Sequence, residues 1–190
     1  MSLSITNGSF ELGNFVPPAD DTMSLPVGAT NMTGWTVANG ELAWIGPSNP
    51  FGLSASDGGY FLDMSGYHDS TPWGGVTQTI LTTSGETYRL SLDLGTDTRY
   101  DLSGPVSILV TAGSSSTNFT STLLGLNQWQ TFTFDFTASS ANTVITIVGT
   151  EDSKYIGLDN LSIVPEPSTL ALLGGGGLLF LRLRRRSLRR

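Results

Sequence analysis

Tyr88-Arg89-Leu90-Ser91-Leu92-Asp93-Leu94 decides the fold class. Apolar side chains at 88, 90, 92 and 94 alternate with polar ones at 89, 91 and 93, the period of a strand with one buried face. Working outward, Val106, Ile108 and Val110 alternate with Ser107 and Leu109, and Phe132, Phe134 and Phe136 with Thr131, Thr133 and Asp135. Val144 to Val148 is a continuous β-branched run, and Ile156 to Val164 reads as a last strand with a phase shift near Asp159-Asn160. Upstream, Gly34–Ala38, Glu41–Ile45, Gly59–Met64 and Gly75–Leu81 are further strand candidates. Each is bounded by Gly, Pro, Asn, Asp or Ser, and no stretch before residue 165 sustains a helical period. The expectation is an all-β, antiparallel, jelly-roll-like β-sandwich over residues 1–164, followed by a C-terminal hydrophobic helix. Residues 16–21 and Pro47–Ser56 read as long surface loops, Trp35 and Trp129 as core.

Composition narrows the chemistry. The 190 residues contain no Cys and a single His, His68, which rules out disulfides, thiolate metal sites and cysteine nucleophiles. It also rules out a zinc site that needs two imidazoles. Residues 1–164 hold Arg89, Arg99 and Lys154 against fifteen acids, a net −12. Such a body is a poor ligand for phosphate backbones, so no nucleic-acid partner is expected. Residues 165–190 hold six arginines against Glu166, a net +5.

The tail is Val164-Pro165-Glu166-Pro167-Ser-Thr, an apolar segment over 167–181, then a basic end over 182–190. Leu170, Leu172, Leu173, Leu178, Leu179, Phe180 and Leu181 supply the apolar character. As a helix, fifteen residues at about 1.5 Å each span roughly 22 Å, short of a hydrocarbon core of about 30 Å. Arg182, Arg184, Arg185 and Arg186 form a basic stop, which puts the C-terminus inside and the body outside. A disordered or amphipathic tail is the plainer reading, and the segment lacks the polar stripe an interfacial helix needs. Met1 to Gly8 shows no basic n-region and no apolar h-region, so the expectation is that either the true start, with an export leader, lies upstream or the sequence begins at the mature domain; a cytoplasmic protein with a hydrophobic tail is the plainer reading.

Motif, apolar run and arginine cluster in that order resemble the PEP-CTERM protein-sorting signal. The body resembles the choice-of-anchor C family. The resemblance lies in Asn7-Gly-Ser-Phe-Glu, Gly34-Trp-Thr-Val, Gly58-Gly-Tyr-Phe-Leu-Asp-Met-Ser-Gly, Gly74-Gly-Val-Thr-Gln-Thr-Ile, Gly85-Glu-Thr-Tyr-Arg-Leu and Gly157-Leu-Asp-Asn-Leu-Ser-Ile. That family is similar to galactose-binding-like jelly rolls and to a plant cell-wall domain of unknown function. The resemblance implies export, passage through the inner membrane on the C-terminal helix, and residence at the cell surface or in the extracellular matrix. It also implies that a membrane-embedded exosortase reads Pro165, Glu166 and Pro167 and removes the anchor. It implies no defined reaction.

Three chemistries are open to the body. Jelly-roll modules of this kind often hold a structural calcium where first and last strands meet, and the resemblance carries that role onto Glu11 and Asp159. The plainer reading is that both are solvated or make local backbone hydrogen bonds. Glycan binding, to an exopolysaccharide or cell-wall glycan, draws on Trp44, Tyr67, Trp73 and Tyr100 as stacking platforms. Asp69, Asp97, Arg99 and Asp101 are the polar groups nearby in sequence. Core packing is the alternative for each Trp. An enzyme is not expected: there is no Gly-x-Ser-x-Gly elbow and no phosphate loop, and a triad has only His68 to draw on. A glycoside-active enzyme is the remote alternative, because carboxylates are plentiful. Gln78 lies inside an apolar and Thr-rich strand and must find partners if buried.

Overall fold

The computed structural model describes residues 4–68, 71–96, 105–122, 127–150 and 155–166. Eleven strands run β1 Thr22–Leu25, β2 Thr36–Asn39, β3 Leu42–Ile45, β4 Phe61–Asp63, β5 Gly74–Leu81, β6 Thr87–Thr96, β7 Val106–Ala112, β8 Ser115–Ser121, β9 Gln128–Thr137, β10 Asn142–Gly149 and β11 Gly157–Pro165. They form two antiparallel sheets, the first in the order β1-β3-β4-β11-β6-β9 and the second β2-β5-β10-β7-β8. The chain crosses repeatedly between them, so each sheet turns one face onto a shared apolar core. The C-terminal helix and the segments 167–181 and 182–190 lie outside the described residues, as do Tyr100, Asp69, Asp97, Arg99 and Asp101. Among the described residues no helix is long and apolar enough to cross a membrane.

The alternation of β6 does what its period implies. Tyr88, Leu90, Leu92 and Leu94 are buried between the sheets, with Phe136, Ile163 and Leu158 from the neighbouring strands. The run Val144–Val148 also alternates: Ile145 and Ile147 are buried, while Val144 faces solvent. The phase shift in β11 is a bulge between Asp159 and Ser162, where Asn160 takes a φ of 52°. Gln78 is buried, and its amide accepts from Thr6 N at 2.8 Å and donates to Thr6 O and Gly34 O at 2.9 Å each. Those bonds tie the N-terminal turn to β5. Trp35 is core, its indole N–H donated to Asn7 O.

Three expectations are corrected. β1 and β8 were not expected. Thr22–Leu25 is too short to show a period, and β8 carries one large apolar residue, Phe119. The two-residue Gly113-Ser114 link, with Gly113 at φ 59°, joins β7 to β8 as a hairpin. Pro47–Ser56 is not simply a surface loop. It folds Phe51, Leu53 and Ala55 onto the outer face of the first sheet, forming a second apolar cluster with Ala43, Ile45, Phe61 and Tyr155. Trp129 belongs to that outer cluster and is half-buried rather than lodged between the sheets. It stands in register with Gly95 on β6, which stands in register with Gly157 on β11. A Cβ on Gly95 would lie 2.6 Å from the indole ring, so these glycines make room for it to lie on the sheet.

A candidate cleft and a carboxylate-pinned turn

The outer cluster shapes the first sheet's outer face into two features. The first is a cleft of about 510 Å³ at the β1-β3-β4 end. Its apolar wall is Ala43, Ile45, Phe51 and Tyr155, and its polar groups are Asp20, Asp63 and Tyr67. Tyr67 is 43% exposed and donates its hydroxyl to Asp20 Oδ2 at 2.8 Å. That hydrogen bond and the adjacent charge hold the Tyr67 phenol above its ordinary pKa. Asp20 Oδ1 is shut off from solvent and meets no donor. Asp63 is buried at the cleft floor, its Oδ1 accepting from Ser65 N, Ser65 Oγ and Ile156 N. Its three donors lie in the turn after β4 and at the entry to β11. Next to the cleft, His68 Nδ1 lies 3.0 Å from Glu41 Oε2. Burial works to raise the Glu41 carboxyl, but hydrogen bonds from His68 and Ser24 outweigh it and hold the pKa below the ordinary value.

The second feature is a turn over residues 54–60, pinned by three carboxylates. Glu11 Oε1 accepts from Gly59 N and Tyr60 N, both at 2.8 Å. Asp159 Oδ2 accepts from Ser56 N, Ser56 Oγ and Asp57 N, and its Oδ1 from Asn160 N. Asp93, in register with Asp159 on the adjacent strand, accepts from Ser56 Oγ, Asn160 Nδ2 and Thr131 Oγ1. Burial pushes the Asp159 carboxyl up to about 7, and its backbone donors pull against that without overcoming it. Gly58, at φ +73°, brings the turn against the Glu11 carboxylate more closely than a side chain would allow. The turn therefore joins Glu11 to Asp159. Among the described residues no group of three or more His, Asp or Glu side chains gathers as a metal shell.

Of the expected stacking platforms among the described residues, Tyr67 lines the cleft and Trp44 and Trp73 do not. Trp44 is 1% exposed, donates its indole N–H to Phe10 O, and packs against Phe15 and Tyr60. Trp73 is 7% exposed, directly before β5, where its carbonyl accepts from Asn39 Nδ2 at the end of β2. Both are interior residues: the missing side chain of Gly13 leaves room for the Trp44 ring, and Trp73 packs beside Gly149. Sequence reasoning missed Asp20, Phe51, Asp63 and Tyr155 as cleft residues. Phe51, a lone aromatic in a loop of Pro, Ser, Asn and Gly, was the available signal. The sorting residues Pro165 and Glu166 sit at the exit of β11, and Pro167 lies outside the described residues.

A two-sheet β-sandwich that runs straight into a sorting motif defines the class. The chain belongs to the DUF642 family, a family of unknown function, which matches residues 3–163. The PEP-CTERM protein-sorting motif matches residues 164–186, so the chain carries an export and surface-sorting signal. No curated protein matches the sequence. Similar solved structures include a CBM4 structure, 21% identical with a TM-score of 0.43, covering 85% of this chain and 99% of that one. TmCBM61 in complex with β-1,4-galactotriose is 15% identical with a TM-score of 0.47, covering 84% and 96%. The Arthrobacter globiformis T6 isomalto-dextranase complexed with panose is 16% identical with a TM-score of 0.48; the match covers 77% of this chain and 24% of that enzyme.

Proposed function

We propose that this is a non-catalytic protein of the cell surface or extracellular matrix, exported, held transiently in the inner membrane by its C-terminal helix, and released by an exosortase. The carrying observation is the order of the tail: motif, fifteen-residue apolar segment, arginine stop, directly after the last strand. A segment shorter than a comfortable span suits a transient stop better than a lasting anchor. Intact mass of surface-extracted protein tests this, in a host carrying the sorting protease and with an export leader supplied. A mature form lacking the Arg182–Arg190 cluster is expected, and a form still ending at Arg190 refutes it.

A second reading concerns the body: it binds exopolysaccharide or cell-wall glycan in the cleft. The cleft itself favours this, since aromatic walls with a few fixed polar groups suit a sugar's apolar ring face and its hydroxyls. Tyr67 is the stacking residue, and Asp20 the acceptor beside it. A glycan array probed with the full chain in mild detergent, wild type against Tyr67→Ala, tests it. Signals lost in the variant support the cleft. The same glycans, incubated with the protein, release no new reducing ends if the body is a binding module rather than a glycoside-active enzyme. A structural calcium at Glu11 and Asp159, as the resemblance implies, is tested by melting the protein in calcium and in excess chelator: a higher midpoint in calcium supports the ion, and equal midpoints leave the hydrogen-bonded turn at 54–60 as the link between the two carboxylates. The net −12 of the body opposes any nucleic-acid partner.

A further inference from the structure

The sorting motif begins inside the fold. Pro165 is the last residue of β11, with its Cα opposite that of Tyr88 on β6. A proline is tolerated there because its nitrogen faces away from β6, on the side where β4 pairs only with Gly157 and Leu158. The next residue, Glu166, donates its backbone N–H to Thr87 O at 2.9 Å. Its carboxylate lies 3.0 Å from Arg89 Nε, and its side chain is only 25% exposed. Arg89 is itself fixed by Asp135 on β9, through Nε to Oδ1 at 2.7 Å and Nη2 to Oδ2 at 2.8 Å. Two of the three motif residues are thus part of the sandwich, with no linker between domain and motif.

We infer that Arg89 is a positioning residue for sorting: it docks Glu166 on the sandwich, and the motif must leave Arg89 and Thr87 before the sorting protease can grip it. The inference rests on the sorting reading. A protease cleft surrounds an extended peptide and competes for its backbone groups and charged side chains. Glu166 has its N–H and its carboxylate already committed on the β6 side. Arg89 stays paired with Asp135 whether or not Glu166 is present, so release costs only the outer contact of this network. An exposed ion pair and one backbone hydrogen bond together hold a segment down by about tenfold, a weak hold that a membrane enzyme can overcome. A motif free for about a tenth of the time is captured about tenfold less readily than a free one.

The test follows tail loss by pulse-chase in a host carrying the sorting protease, using the full chain with an export leader. Arg89→Ala removes the ion pair and is expected to speed processing by about twofold to fivefold. Arg89→Lys keeps the charge contact and stays near the wild-type rate. A short Gly-Ser insertion between Val164 and Pro165 frees the motif while removing no side chain from the sandwich, and speeds processing by about tenfold. A processed wild type with insertion and Arg89→Ala no faster, or slower, overturns the docked motif and points to recognition of body and motif together. A wild type that keeps its tail refutes the sorting reading instead.

Discussion

The two outer faces of this sandwich are built on the same strand geometry and do different things. On the second sheet the outward residues Thr36, Thr77, Thr146, Thr111 and Ser116 line up in one row across five strands. Among the described residues no charged side chain stands on that face. On the first sheet the outward positions hold Arg89, Asp93, Asp135 and Asp159, and the loop 47–57 lies across the end that carries Asp93 and Asp159. A sheet face left to water needs only short polar or β-branched residues. A face that is covered needs apolar side chains and partners for every buried polar group. Cleft, carboxylate-pinned turn and docked motif all lie on the covered sheet.

The largest expected effect that separates the faces is a pH dependence. The Asp159 carboxyl is raised from 3.8 to about 7 in the folded state, so the folded protein binds its proton more tightly than the unfolded chain does. The resulting stability is fully present below the unfolded value and is lost as pH rises through about 7. At about 1.4 kcal/mol for each pH unit of that window, the limit is about 4 kcal/mol. Urea midpoints measured in excess chelator should fall from pH 5 to pH 8, and Asp159→Asn should flatten the slope. A slope unchanged in the variant contradicts the assignment. A midpoint raised by calcium at pH 8 would instead put an ion between Glu11 and Asp159.

Leu53→Ala comes next. Leu53 is 1% exposed in the outer cluster, so its truncation should cost about 3 kcal/mol. A cost near zero would mean that the loop does not pack as described. Glu11→Ala leaves the amides of Gly59 and Tyr60 without their acceptor and should cost about 1 to 2 kcal/mol by denaturant titration. The smallest effect belongs to the bare face: Val144→Thr, at a position 49% exposed, should stay within about 0.5 kcal/mol. A large loss there would show that this face is covered too.

This contrast also marks what the sequence could tell. Strands with one wet face were legible, because Tyr88–Leu94 and Val106–Val110 state their period in side-chain type. The bulge at Asp159-Asn160 and the need of Gln78 for partners were legible for the same reason: a polar residue in an apolar strand has few ways to be satisfied. The covered face was not. Ala43, Ile45 and Phe61 are buried on the side that alternation assigns to solvent, since a loop distant in sequence supplies the cover. That non-local packing turned Trp129 outward, while Trp44 and Trp73 are interior residues, so two of the four expected stacking residues proved to be buried. Asp20 and Asp63 meet at the cleft only through the pairing of β1, β3 and β4, and the short β1 carries no readable period. The sorting motif was legible residue by residue, but its docking by Arg89 depends on the β6–β11 register.

The glycan reading proposed for the body puts the sugar on the covered face of the first sheet and not on the face of the second. Calorimetric titration of the full chain in mild detergent with the strongest array ligand tests it most directly. Binding should weaken by about tenfold or more in Tyr67→Ala, consistent with the loss of one stacking contact and its hydrogen bond, and should be unchanged in Thr146→Ala. Binding that survives Tyr67→Ala and is lost in Thr146→Ala would contradict the account and move the site to the opposite sheet.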